Sequence, residues 1–98
     1  MYTSGRTVKG NAKPTTVARA TTDARRLIGK HLPTTEGVTV KTTLTADPVT
    51  LAPQLRTVIT WPGSITPAHV QLGMAITLLP GYLSAINDDC SITYLRSA

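Results

Sequence analysis

The chain has 98 residues, with 10 Lys and Arg against 5 Asp and Glu, and a single cysteine, Cys90. This length predicts one domain over residues 1–98, and a domain this small buries only about 60 to 65% of its unfolded surface, so a partner subunit would enlarge its core. One cysteine excludes an internal disulfide framework. No apolar segment follows the first basic residues, which predicts that the protein has no signal peptide and is made in the cytosol.

The charge is concentrated at one end of the chain. The first 30 residues contain seven Lys and Arg against one Asp, a net +6, whereas the other 68 residues have a net charge of −1. Such asymmetry favours a polyanionic partner, either nucleic acid or an anionic membrane face. The alternative is an ordinary basic, solvated surface.

The first predicted elements are strands. A short strand near residues 3–9 is followed by weak alternation over residues 15–22. Residues 24–30 fit either a strand or a helical turn, and we interpret them as a strand. Residues 33–37 predict a turn.

Two later segments show clear strand periodicity. Residues 38–46 alternate apolar and polar side chains, and the polar side includes Lys41. Residues 54–61 alternate likewise and place Arg56 opposite the apolar side. Together these segments predict about five antiparallel strands over residues 2–61.

A helical region is predicted over residues 66–96. Thr66 is a good N-cap, and Pro67 suits the first helical position. Apolar residues then cover most of the helix circumference, so the helix needs cover on more than one side, which a second subunit would supply. The predicted dimer-interface residues are Val70, Leu72, Met74, Ile76, Leu79 and Leu83.

A membrane-spanning helix is not predicted, because Pro62, Pro67 and Pro80 interrupt the uncharged segment before it reaches about 20 apolar residues. Catalysis is not predicted either. His31 and His69 do not have metal-ligand spacing, and no cofactor or metal motif is present in the sequence. The chain is therefore predicted not to be an enzyme.

The order of these features resembles the coat proteins of the single-stranded RNA bacteriophages, the levivirus group. The likeness runs from residue 24 to the C-terminus, and its most distinctive part is QLRTVITWPGSITPAHVQLGMAITLLPGYLSAI, a strand that leads through a Pro/Gly break into an apolar helix. The resemblance implies an α+β fold, with five antiparallel strands followed by C-terminal helices. It further implies an interlocked homodimer with a continuous ten-stranded sheet.

The resemblance also implies a function. Dimers would assemble into an icosahedral virion shell in the host cytoplasm, with genomic single-stranded RNA on the inner sheet face. The basic side chains of the predicted strands are the candidate RNA-binding residues: Lys41, Arg56, Arg19, Arg25, Arg26 and Lys30. Two alternatives remain, a small dimeric nucleic-acid-binding regulator that forms no shell and a protein-only assembly component whose basic end is incidental.

Overall fold

The computed structural model describes residues 16–98, which form a small α+β unit with the order helix, strand, strand, repeated once. The elements are α1 (Val17–His31), β1 (Thr39–Ala46), β2 (Pro53–Thr60), α2 (Pro67–Ile76), β3 (Tyr82–Asn87) and β4 (Ser91–Ser97).

The first described element is a helix. The side chain of Thr16 caps α1 by accepting a hydrogen bond from the backbone N–H of Arg19, at 3.1 Å. Ala20, Ala24 and Ile28 are buried, and their spacing of four residues places them along one helix face. This apolar stripe packs α1 onto the sheet.

The strands predicted over residues 15–22 and 24–30 are therefore wrong. Threonines had suggested strand, but inside α1 the hydroxyls of Thr21 and Thr22 each bond a backbone carbonyl four residues earlier, at 2.9 Å. Such back-bonding lets a β-branched polar residue sit in a helix. The strand predicted near residues 3–9 lies outside the described residues.

The β1–β2 hairpin follows the sequence pattern closely. Its strands begin and end within one residue of the predicted segments, 38–46 and 54–61. They pair antiparallel over eight positions, from Thr39 opposite Thr60 to Ala46 opposite Pro53. Strict alternation fixes this register, because a slip of one residue would move every apolar side chain to the other face.

The second half of the chain departs from the prediction. Thr66 and Pro67 do start α2, but this helix ends at Ile76, and the rest of the predicted helical region over residues 66–96 forms β3 and β4. Gly81 lies in the turn between α2 and β3, and its φ of +77° is a backbone conformation that suits glycine. The apolar residues after Gly81 therefore belong to a strand rather than to a second helix.

The sheet is antiparallel throughout, with strand order β1-β2-β4-β3. The predicted architecture, five strands followed by C-terminal helices, is wrong, because α1 precedes the sheet and α2 lies between its two hairpins. The continuous ten-stranded dimer sheet, which depended on that order of elements, is therefore wrong as well. What the structure has is two helix–hairpin units whose second strands lie side by side.

Both helices cover the same face of the sheet. One core cluster joins α1 and α2 to the inner residues of the central strands, among them Ile59, Ile92 and Tyr94. At the edge of this core lies a buried ion pair, in which Arg96 of β4 donates to the carboxylate of Asp23 in α1, at 3.2 Å. The opposite face of the sheet has no helix against it among the described residues.

Candidate nucleic-acid interface

The uncovered face of the sheet, called the open face below, is polar and basic over β1 and β2. On β1 and β2 it consists of alternate residues that pair across the two strands, and they surround a shallow depression of about 360 Å³. The residues that line this depression are Thr39, Lys41, Thr43, Arg56, Val58 and Thr60.

Lys41 and Arg56 lie close together on the open face. The register pairs Lys41 with Val58 and Thr43 with Arg56, so the two bases are diagonal neighbours on adjacent strands. Diagonal neighbours are about 7 to 8 Å apart, within reach of long side chains. Both side chains are exposed, so they are free to contact a ligand laid across the strands.

The open face has no opposing charge within the described sheet. None of the residues of β1, β2, β3 or β4 is acidic. Around the two bases, the hydroxyls of Thr39, Thr43 and Thr60 provide neutral hydrogen-bond donors. Lysine, arginine and hydroxyl side chains are the groups that usually contact phosphate oxygens.

The other predicted RNA-binding residues lie elsewhere. Arg19, Arg25, Arg26 and Lys30 all belong to α1, on the covered side of the sheet, so the structure does not bring them together with Lys41 and Arg56. Arg26 is also partly engaged, because its guanidinium lies 3.4 Å from Asp23. Two groups of basic residues that lie on opposite sides of the sheet were therefore assigned to one surface from the sequence.

The residues predicted to form a dimer interface divide between core and surface. Leu72 and Ile76 are fully buried inside the single chain, and Leu79 is half-buried. Val70, Met74 and Leu83 are exposed. Cover for the inner side of α2 thus comes from α1 and the sheet, and three of the six residues present substantial surface to a second subunit. The homodimer itself stays a prediction.

The threonines of the open face were not among the candidate site residues predicted from the sequence. Thr39, Thr43 and Thr60 were present in the alternating pattern, on the same side as Lys41 and Arg56, and that spacing could have identified them. The buried pair of Asp23 and Arg96 had no such signal, because its partners are 73 residues apart.

Three groups among residues 16–98 have shifted pKa values. Backbone N–H groups of Thr50 and Val49 lower the pKa of Asp47, while burial lowers the pKa of His69 and raises that of Tyr94.

The remaining sequence candidates stand apart from one another. Cys90 is exposed in the turn between β3 and β4. His69 stacks on the indole of Trp61, with 4.1 Å between ring centroids. Within residues 16–98, no three His, Cys, Asp or Glu side chains form a group that could hold a metal ion.

No described helix has the length and apolarity needed to cross a membrane. Comparison with protein-family models, curated proteins and solved structures found no match to this chain.

Proposed function

We propose that this protein binds single-stranded RNA through the phosphate backbone on the open face, and packages it as a coat subunit. The observation that carries the proposal is the pair of exposed bases, Lys41 and Arg56, on a four-stranded sheet face with no acidic strand residue. Each phosphate that such bases neutralise releases condensed counterions, which drives binding without regard to base sequence.

The character of the open face favours packaging over sequence-specific regulation. Proteins that read single-stranded RNA usually stack its bases on aromatic side chains. The described aromatic residues lie away from the open face, since Trp61, Tyr82 and Tyr94 all belong to or pack against the core beneath the helices. Phosphate contact without base stacking suits a protein that must hold a whole genome.

Exposed apolar residues support the assembly part of the proposal. Val70 and Met74 lie on the outer side of α2, and Leu78 follows that helix. Clusters of exposed apolar side chains commonly mark protein–protein contacts. A packaging subunit needs such contacts in addition to its RNA surface.

The RNA surface is tested with two double variants of equal charge loss. Lys41→Gln with Arg56→Gln removes both bases from the open face, whereas Arg19→Gln with Lys30→Gln removes two from α1 on the covered side. Affinity for a single-stranded RNA oligonucleotide is measured against salt concentration. We expect the first variant to reduce the salt slope by about 1.4, as two lost phosphate contacts imply.

The control variant should reduce that slope much less. Equal effects of the two double variants would mean that net charge alone governs binding, and a larger effect on the α1 side would reverse the assignment of the RNA surface.

Packaging is tested separately, by negative-stain electron microscopy of the purified protein together with its absorbance ratio at 260 and 280 nm. Uniform shells that contain nucleic acid would support the coat-subunit role. A discrete small dimer with no particles would overturn that role and favour a dimeric nucleic-acid-binding regulator.

A further inference from the structure

The loop that joins β1 to β2, residues 47–52 and called the tip loop below, displays two apolar side chains. Val49 is 87% exposed and Leu51 is 75% exposed. Leu51 also has φ +62°, the one positive φ outside glycine among the described residues. Backbone strain of this kind persists where surrounding contacts hold it, and it concentrates at functional sites.

Hydrogen bonds hold the tip loop in this shape. The carboxylate of Asp47 accepts from the backbone N–H groups of Val49 and Thr50, at 2.7 and 2.9 Å. The backbone N–H of Asp47 donates to the carbonyl of Ala52, and the carbonyl of Asp47 accepts from the backbone N–H of Leu51, each at 2.9 Å. The loop is thus preorganised to present Val49 and Leu51 outward, which reduces the entropy lost when a partner binds them.

A matching concave surface lies on the helix layer. The end of α1 and the outer side of α2 enclose an open groove of about 450 Å³, called the helix groove below, lined by His31, Gln71, Met74, Ala75, Thr77 and Leu78. Its most exposed apolar members are Met74, at 65%, and Leu78, at 84%. Two aliphatic side chains fit the chemistry of such a groove.

The charges of the two surfaces are complementary. Asp47 is the single charged residue of the tip loop, and its backbone hydrogen bonds keep it ionised by lowering its pKa. The helix groove includes His31, with Lys30 beside it in the last turn of α1. An acidic loop is therefore attracted to the basic edge of the groove.

The tip loop cannot fill the groove of its own chain. The start of β1 lies near the end of α1, where Val38 and Val40 border Ile28, and Thr42 further along bonds Thr21 near the helix start. The tip loop therefore lies toward the opposite end of α1 from His31, and a 15-residue helix spans about 22 Å. A tip loop that fills the helix groove must therefore come from a second molecule.

We propose that the tip loop of one copy of this protein inserts Val49 and Leu51 into the helix groove of a second copy. Two different surfaces meet in this contact, so it either forms twice in a closed dimer or repeats into a ring or a longer array. The contact would serve the proposed packaging role, but it rests on the tip loop and the helix groove and does not require RNA binding.

Sedimentation velocity over a range of protein concentrations tests the contact. The tip variant is Val49→Asn with Leu51→Asn, since asparagine tolerates positive φ. The groove variant is Met74→Gln with Leu78→Gln, and the control is Ile86→Asn, which changes an exposed apolar residue outside both surfaces. We expect each double variant to weaken self-association at least tenfold while the control associates like the unaltered protein.

Mixing the tip and groove variants gives the sharper result. Each variant retains the surface that the other has lost, so an equimolar mixture should form heterodimers through one intact contact, although neither variant associates alone. An unaltered protein that stays monomeric, double variants that still associate, or a mixture that stays monomeric would each overturn the proposal.

The same variants separate this contact from the proposed function. The tip variant should bind a short RNA oligonucleotide with unchanged salt dependence, because its substitutions lie off the open face. If the Lys41 and Arg56 variant loses RNA binding, or if the unaltered protein binds no RNA at all, the proposed contact between two copies is not contradicted.

Discussion

The two helix–hairpin units, residues 17–60 and 67–97, share an order of elements but differ in chemistry. The first unit contains six Lys and Arg against three Asp and Glu, whereas the second contains one Arg against two Asp. Accordingly, α1 exposes charged side chains and α2 exposes Val70 and Met74. Repeating one arrangement thus allows the covered faces to build a shared core while the outer surfaces differ in charge and apolarity.

The largest expected effect contrasts the two sides of α2. Leu72→Asp places a charge in the core, where Leu72 has no exposed surface, and should cost more than about 5 kcal/mol and unfold the chain. Met74→Asp, two residues on, should change the free energy of unfolding by less than about 1 kcal/mol. Urea denaturation measures both. Similar losses for the two variants would mean that the outer side of α2 also packs against the rest of its own chain.

The buried ion pair between Asp23 and Arg96, which connects the two units, gives the next largest effect. Asp23→Ala leaves the guanidinium of Arg96, which is 2% exposed, without its carboxylate and should cost about 3 kcal/mol. Adding Arg96→Met to this variant should recover part of the loss. The control is Arg26→Ala, which removes the exposed partner of the same carboxylate and should cost less than about 1 kcal/mol. Equal losses for Asp23→Ala and Arg26→Ala would mean that the buried ion pair stabilises the protein no more than the exposed one.

A smaller effect is expected inside the first unit. The hydroxyls of Thr21, Thr42 and Thr57 form a row from α1 to β2, with O–O distances of 3.0 and 3.1 Å. Thr57→Val should cost about 1 kcal/mol, because it leaves the hydroxyl of Thr42 without its buried partner. Thr60→Val, on the open face, should be close to neutral. Thermal unfolding of both variants provides the comparison, and a neutral Thr57→Val would remove the row from the stabilising contacts.

The smallest effect concerns pH and the start of the second unit. Nδ1 of His69 accepts the backbone N–H of Thr66 at 3.1 Å, so the ring is neutral there. Burial lowers the pKa of His69 below its usual 6.5. Its contribution to stability is therefore present above pH 6.5 and is lost as pH falls through the lowered pKa.

His69→Gln provides the test, because glutamine can accept the same hydrogen bond without titrating in this range. We expect a smaller loss of stability between pH 7.5 and pH 5 in this variant than in the unaltered protein. Glu36 borders the same small pocket as His69, so Glu36→Gln serves as the control for the neighbouring charge. An unchanged pH profile in His69→Gln would assign the acid sensitivity to another group.

The sequence predicted those parts of the fold in which one local pattern dominates. Alternation over residues 38–46 and 54–61 identified the first hairpin, and Thr66 with Pro67 identified the start of α2. Threonines in α1 concealed its helical spacing, because their hydroxyls bond within the helix and do not require a strand. The apolar residues after Gly81 fit a helix or a strand equally, and pairing with β4, which no local pattern encodes, decides between them.

The candidate site was predictable to a similar extent. Lys41 and Arg56 were identified from alternation alone, and the structure places both on the open face. The bases of α1 were assigned to the same surface because α1 was taken for a strand. Because that segment is a helix on the covered side of the sheet, its basic residues lie on the opposite side from the open face.

The strand order has a consequence for how the protein is made. β4 occupies a central place between β2 and β3, yet it comes last in chain order among the described strands, and it supplies the arginine that pairs with Asp23. During synthesis, α1 and the first hairpin leave the ribosome with their inner surfaces uncovered until β4 follows. Folding of the whole unit therefore waits until β4 has left the ribosome.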